Sequence, residues 1–556
     1  MPDGKSKFLK FLKNNYIIII LFLVCAFLVF YNLGSIEFWG EDEAQTLLCA
    51  SRFILGLSND SLNNVTAIYR NITFASVILV QVPFIFIFGV SEIAARFPSA
   101  IMVLLTFIII LRISKLFLDR KTTNLILLLF TISGAAGLFR SAIGVIFYIF
   151  FILAGFYFIE KFLYHKDISL RYKTRDLISG MMCAALSIIF VPDAYFFMPF
   201  FIIIILINIR RIGLRKLALS LIGPVFILGF FIYFQFFNSK KLTGSYGAVY
   251  EHFITRKEGL TLVFNIKSFI LGFITSYSIF FLTLFISSCV FLIVLAIKKK
   301  IKIPGIILRL ILLFSLHGII WMFLTEKENG HLMNGFPVFI FITGYAVKCL
   351  FDIIGESKLK INVKKGLKAF FIILLGCFFA LNLYHSFIQF NDLSLDKQKY
   401  PLIYNPNKLP AGYISGHKVG IKSAAYLLRK IVKPNEYLVS DKGTAFSFIY
   451  MGGDQVVYST SNAIEYMRVG EDIYNKYRIR FIGISYDFQN KEYLKYIDSR
   501  GFNKITIKSN DKEIYYIYDV LERENKNEVI EREQYDWKYF WEYGRPEKAI
   551  SFFSNF

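Results

Sequence analysis

One repeated feature constrains this chain more than any other. Between Tyr16 and Phe387, apolar runs of about 16–24 residues recur, and most of them end on a cluster of Lys or Arg. About 20 apolar residues is the length an α-helix needs to cross the hydrocarbon core of a bilayer. Lipid offers no hydrogen bonds to the backbone, so a segment of this kind must bond internally as a helix. The pattern therefore dictates a polytopic α-helical membrane protein. The mean hydropathy of +0.53 and the 19% charged content exclude an ordinary soluble domain. The net charge of +23 would point to nucleic acid in a soluble protein. Here the Lys and Arg lie mostly in short loops between apolar runs, where they set orientation and meet anionic headgroups. Nucleic acid is therefore not an expected partner.

The same charges order the spans. Lys5, Lys7, Lys10 and Lys13 precede the run Tyr16–Tyr31, so the N-terminus is read as cytoplasmic and span 1 as leading outward. No small-residue cleavage site follows that run, so it is read as an uncleaved span rather than a signal peptide. The run Phe74–Gly89 contains Pro83. If it crossed, Arg112, Lys115, Arg120 and Lys121 would all fall outside. It is therefore assigned to the outer interface, and Glu92–Ile113 becomes span 2. Continuing by the same rule gives about 11 spans, with the N-terminus inside and the C-terminus outside. Residues 1–390 form the membrane domain, with a long external loop over about 32–91 and another over about 237–268.

Composition changes after Phe390. Lys418–Val432 reads as an amphipathic helix, Glu436–Asp441 and Ile479–Tyr486 as strands, and Lys491–Arg500 as a helix ended by Gly501. Lys504–Val520 reads as a hairpin turning at Ser509-Asn510-Asp511-Lys512. Residues 391–556 are thus expected to be a small external α/β domain; the charged, aromatic stretch Glu522–Phe556 has no assignment. Five of the six cysteines lie inside apolar runs, without metal-site or disulfide spacing, and are read as small buried hydrophobes.

The polar chemistry gathers outside. Glu41-Asp42-Glu43 follows span 1 directly. Acids in the first turn of a helix favour its dipole and cap its free amides, which accounts for such a run without any chemistry. A partly desolvated carboxylate at a membrane surface can also take a proton from an acceptor hydroxyl, with Asp42 or Glu43 as the base. A transporter or flippase is the competing class. Transporters place ionisable residues near the bilayer midplane and often show internal repeats, and this sequence shows few such charges and no clear repeat.

Two stretches resemble the GT-C membrane glycosyltransferases, in the branch of the protein O-mannosyltransferases and the lipid A aminoarabinose transferase. One is Trp39-Gly40-Glu41-Asp42-Glu43-Ala44, and the other is Phe88–Ala100 (FGVSEIAARFPSA). The resemblance implies a GT-C fold and a polyprenyl-phosphate-linked sugar donor. It matches Asp42 to the family's catalytic acid, with Glu43 beside it, and implies inversion at the anomeric carbon. The acceptor hydroxyl would belong to a lipid, a glycan or a protein. The enzyme would be an integral protein of a bacterial or archaeal plasma membrane, with its site on the external face. A leaving lipid phosphate needs external cations, and the candidates are Arg70, Arg140, Lys240, Arg256, Lys257 and His331. Many relatives carry a second acid or a Tyr shortly after the Arg of the second external loop. Here that loop reads Phe139-Arg140-Ser141-Ala142-Ile143-Gly144-Val145, without an acid. A divalent metal needs more than one adjacent pair of hard ligands, so the reaction is expected to be metal-independent. Within the enzyme class, an O-antigen ligase type of transferase using a diphosphate lipid is the alternative.

Overall fold

The computed structural model describes residues 3–31, 33, 72–88, 92–133, 145–164, 170–190, 194, 197–233, 279–299, 301, 303–324, 335–391, 421–433, 435–440, 456–458, 478–485, 491–509, 512–522 and 524–531. Helix α1 covers Asp3–Phe30, α2 Ile72–Phe88, α3 Glu92–Phe117, α4 Arg120–Ile132, α5 Val145–Tyr164 and α6 Leu170–Phe190. They are followed by α7 over Met198–Ile207, α8 Leu214–Ile232, α9 Ile279–Ile297, α10 Gly305–Leu324, α11 Phe336–Glu356 and α12 Ile361–Asn391. Within the described residues, five helical stretches are long and apolar enough to cross a membrane: Ile93–Leu116, Val145–Leu163, Phe280–Ile297, Phe336–Glu356 and Ile361–Leu383. Asn15–Phe30, Met198–Ile207 and Gly305–Leu316 are shorter apolar helices.

Helix ends follow local chemistry. Asp119 caps α4, its Oδ1 accepting from the amides of Lys121 at 2.9 Å and Thr122 at 3.0 Å. These are two of the first-turn donors that have no partner inside the helix. Burial pushes the Asp119 carboxyl up, but the bonds from Thr122 and Lys121 and the charge of Lys348 outweigh it and hold the group below its ordinary value.

The bundle core is continuous. It runs from Cys25 and Val29 of α1 through Phe107 of α3, Phe130 of α4 and Phe156 of α5 to Phe336 and Ile340 of α11. Water release does little for such contacts in lipid, where close van der Waals packing and small residues decide. Helices α5 and α6 show this at Gly155 and Gly180, where a Cβ on either would sit 3.1 Å from the carbonyl oxygen of the other. Cysteines 25 and 349 are buried, as expected of small hydrophobes, but Cys377 is exposed. It belongs to α12, whose apolar window is only 6% buried within the protein. That surface is apolar because lipid, not protein, is its solvent.

The carboxy-terminal elements form an α/β unit. Helix α13 spans Ile421–Ile431 and α14 Lys491–Ser499; the strands are β1 Tyr437–Ser440, β2 Val456–Tyr458, β3 Ile479–Ser485, β4 Asn503–Ser509, β5 Lys512–Asp519 and β6 Asn527–Glu531. The sheet order is β2-β1-β3-β5-β4-β6. Strands β1, β2 and β3 pair in parallel, β5 is antiparallel to β3 and β4, and β6 is parallel to β4. Ala424, Ala425 and Leu428 of α13 pack with Leu438, Phe481 and Ile517. Tyr493 and Ile497 of α14 pack with Val439, Ile482 and Tyr518. Alternate residues of each strand point to opposite faces, so the two helices cover the two faces. Arg480 links three parts of the unit: it donates to Glu436 Oε1 at 2.9 Å and to Asp519 Oδ2 at 2.9 and 3.1 Å. The bonds it donates to Asp519 and Glu436 raise the Arg480 pKa above its ordinary value.

Candidate functional site

The eight candidate residues, Asp42, Glu43, Arg70, Arg140, Lys240, Arg256, Lys257 and His331, lie outside the described residues. The described helices do show where the segments carrying them begin and end. Those segments are 34–71, 134–144, 234–278 and 325–334.

Their boundaries meet at one end of the bundle. The Cys25 side chain in α1 is hydrogen-bonded to Thr131 near the end of α4. The Phe130 ring in that same turn of α4 is 5.9 Å from Phe336, at the start of α11. Phe336 is in turn 6.1 Å from Phe281, at the start of α9. Phe336 thus sits where the segment with Arg140 leaves the bundle and where those with Lys240, Arg256, Lys257 and His331 return to it. The end of α1, from which the segment with Asp42 and Glu43 departs, is the next neighbour.

The opposite end is held by charge. There Glu160 of α5 pairs with Arg309 of α10, Lys161 donates to Asp176 of α6 at 3.0 Å, and Lys348 donates to Asp352 at 2.6 Å. Among the described residues, the helix ends that border the candidate segments meet through aromatic rings, and the opposite ends carry these ion pairs.

Consecutive residues of α3 hold the start of the first segment and the helix that follows it. Arg96 is 3% exposed, and its Nη1 donates to the Leu33 carbonyl at 3.2 Å. Gln81 of α2, 1% exposed, donates through Nε2 to the Ala95 carbonyl at 3.2 Å. Phe97 packs against Phe30 of α1 at 5.1 Å and against Phe84 and Phe88 of α2 at 5.2 and 4.9 Å. The stretch Gln81–Phe88 covers about 10 Å of helix axis, while its partners Ala95 and Phe97 are about 3 Å apart along theirs. These contacts have α2 crossing the first turns of α3 rather than running beside it. The sequence segment Phe88–Ala100 is therefore the foot of the first loop. Its carriers, Arg96 and Gln81, were not singled out from sequence; the available signal was a cation and an amide inside otherwise apolar runs.

This arrangement is a known fold. The chain shares its fold with ArnT, the kind of architecture that the resemblance to the GT-C membrane glycosyltransferases implies. Two crystal structures of ArnT from Cupriavidus metallidurans match it: the form bound to undecaprenyl phosphate, at TM-score 0.54 and 11% identity over 91% of this chain and 98% of that one, and the apo form, at TM-score 0.53 and 13% identity over 90% and 97%. No family model and no curated protein matches the sequence.

Proposed function

We propose that the protein is a glycosyltransferase that moves a sugar from a polyprenyl-phosphate donor to an acceptor hydroxyl at the external face of the membrane. The observation that carries this is the GT-C fold over nearly the whole chain, shared with an ArnT structure that holds undecaprenyl phosphate. The contacts among the described helix ends that border the candidate-bearing segments, Phe130 with Phe336 and Phe336 with Phe281, support it independently.

In this reading about 11 spans place those ends outside and the α/β unit with them. Asp42 accepts the proton of the acceptor hydroxyl, and Glu43 orients it. The acceptor oxygen forms its bond to the anomeric carbon from the face opposite the phosphate. The bond from that carbon to the phosphate oxygen breaks, its electron pair leaves with the polyprenyl phosphate, and the configuration inverts. The leaving phosphate gains charge as the bond breaks, so cations preorganised around it favour the transition state over the ground state. Arg140, His331, Arg70 and the basic loop with Lys240, Arg256 and Lys257 supply them. The proposed acceptor is the hydroxyl of a lipid, glycan or protein.

The test uses the purified full chain in nanodiscs with undecaprenyl-monophosphate sugars, and separately with diphosphate-linked oligosaccharides. Transfer from the monophosphate donors alone is expected, with Asp42→Asn reducing it at least about a thousandfold. Transfer only from diphosphate donors, or wild-type turnover by the Asp42→Asn protein, refutes the assignment.

A further inference from the structure

We infer that Arg96 is a positioning residue for the external site: a buried guanidinium that fixes the departure point of the segment carrying Asp42 and Glu43. The inference rests on the glycosyltransferase reading for its catalytic consequence, but not for its structural one.

A guanidinium is costly to bury, and a chain retains one only where its donors are used. Arg96 is buried at the first turns of α3, with one donor on the Leu33 carbonyl. Leu33 is itself 5% exposed and lies just beyond the last turn of α1. Its carbonyl belongs to the peptide link that opens the segment 34–71. A hydrogen bond there sets the direction in which the chain leaves the bundle. The neighbouring residue acts on the helix that follows the segment, since the Ala95 carbonyl takes the Gln81 side-chain amide in the middle of α2. Phe97 closes the set by packing on Phe30, Phe84 and Phe88. Three successive residues of one helix thus hold the start of the loop, the helix after it and the end of α1. A base must sit within about 0.5 Å of its productive place, and misplacement by about 1 Å can cost about a hundredfold in rate. A fixed departure point is what such precision requires of a long loop.

Two substitutions separate the role from simple folding. Arg96→Met keeps most of the side-chain volume and removes every donor. Arg96→Lys keeps the charge and one donor. Hydrogen exchange of the full chain in nanodiscs is measured in peptides covering residues 26–45 and, as a control, 145–164. In Arg96→Met, exchange in the first set should rise at least about threefold with the control unchanged, and Arg96→Lys should recover most of the protection. In the turnover assay, kcat should fall about tenfold or more in Arg96→Met, the donor KM should change less than about threefold, and Arg96→Lys should regain most of the rate. Unchanged exchange in residues 26–45 of Arg96→Met overturns the inference. So does a uniform rise across both peptide sets. If the wild-type protein transfers no sugar, the functional proposal fails and the exchange arm still decides the role of Arg96.

Discussion

Arg309 lies fork to fork on Glu160, with Nη2 2.7 Å from Oε2 and Nε bonded to Oε1. The Glu160 side chain is 1% exposed and that of Arg309 23%. Sequence separation between them is 149 residues, so the pair ties α10 to α5 across the bundle. A buried pair repays its desolvation only while both partners are present. Arg309→Met should therefore destabilise the protein by about 3–5 kcal/mol, because it strands the carboxylate. The double replacement Glu160→Leu with Arg309→Met should recover most of that loss, since a packed apolar pair replaces an ionic one. Unfolding in detergent, followed as a double-mutant cycle, measures both, and equal losses in the single and double variants would contradict the account.

The crossing of α5 and α6 offers a second test. A Cβ added at Gly180 meets Ile159 Cγ1 at 2.7 Å and the Gly155 carbonyl oxygen at 3.1 Å. The Ile159 side chain can turn aside, but the carbonyl is part of a helix and cannot. Gly180→Leu should push the helices apart and cost about 1–3 kcal/mol. Gly376→Leu on α12 is the control, because nothing lies within 4 Å of a Cβ there. The ratio of monodisperse to aggregated protein on size exclusion after heating should separate the two variants, and equal behaviour would refute the close crossing.

Asp119 gives a pH-dependent prediction. Its carboxyl is held below the ordinary 3.8 by the cap bonds and by Lys348. A lowered folded pKa means that its contribution to stability is complete above 3.8 and is lost as pH falls through the lower folded value. Asp119→Ala should cost about 0.5–2 kcal/mol at neutral pH by removing the cap. Asp119→Asn, whose amide oxygen still accepts, should cost less and should flatten the acid limb of the stability curve. Melting of the three proteins between pH 2.5 and 6 checks the sign (about 2.5 and 6 bracket the ordinary carboxylate range).

How much of this was legible in the sequence follows from how local each signal is. The turn at Ser509 to Lys512 and the helix end at Gly501, which has φ +68°, are written in adjacent residues, and both occur where expected. Pro83 and the charges beyond it assign Phe74–Gly89 to the outer interface, and the structure shows a helix over Ile72–Phe88 that contains Pro83. Strand β6 could not be read from Asn527–Glu531, whose Val529 is 51% exposed. It exists because β4 offers an edge: the Lys504 amide donates to the Lys526 carbonyl at 2.8 Å, and Thr506 donates to Asn527 Oδ1 at 2.8 Å. Strand β2 is only three residues long and gains its identity from pairing with Leu438–Ser440. The Glu160–Arg309 pair and the Arg96–Leu33 bond are equally non-local. The acids Asp42 and Glu43 were singled out from sequence, whereas the residues that anchor their loop required three dimensions.

The last prediction concerns metal. A hard divalent cation gathers several oxygen ligands, and a lone acid pair on one loop supplies too few unless a second loop adds another. The stretch 134–144 holds Arg140 but no acid. A cation there competes with a metal for the same electrostatic task, namely stabilising the negative charge that grows on the leaving phosphate. If Arg140 carries that task, turnover should survive EDTA within about twofold, while Arg140→Gln should lower kcat about a hundredfold or more. Arg140→Lys should lie between them, because an ammonium keeps the charge but not the planar fork. The measurement is turnover with an undecaprenyl-monophosphate sugar at saturating donor, with and without chelator. Complete loss in EDTA, reversed by a divalent ion, would assign the charge to a metal and remove Arg140 from the centre of the mechanism.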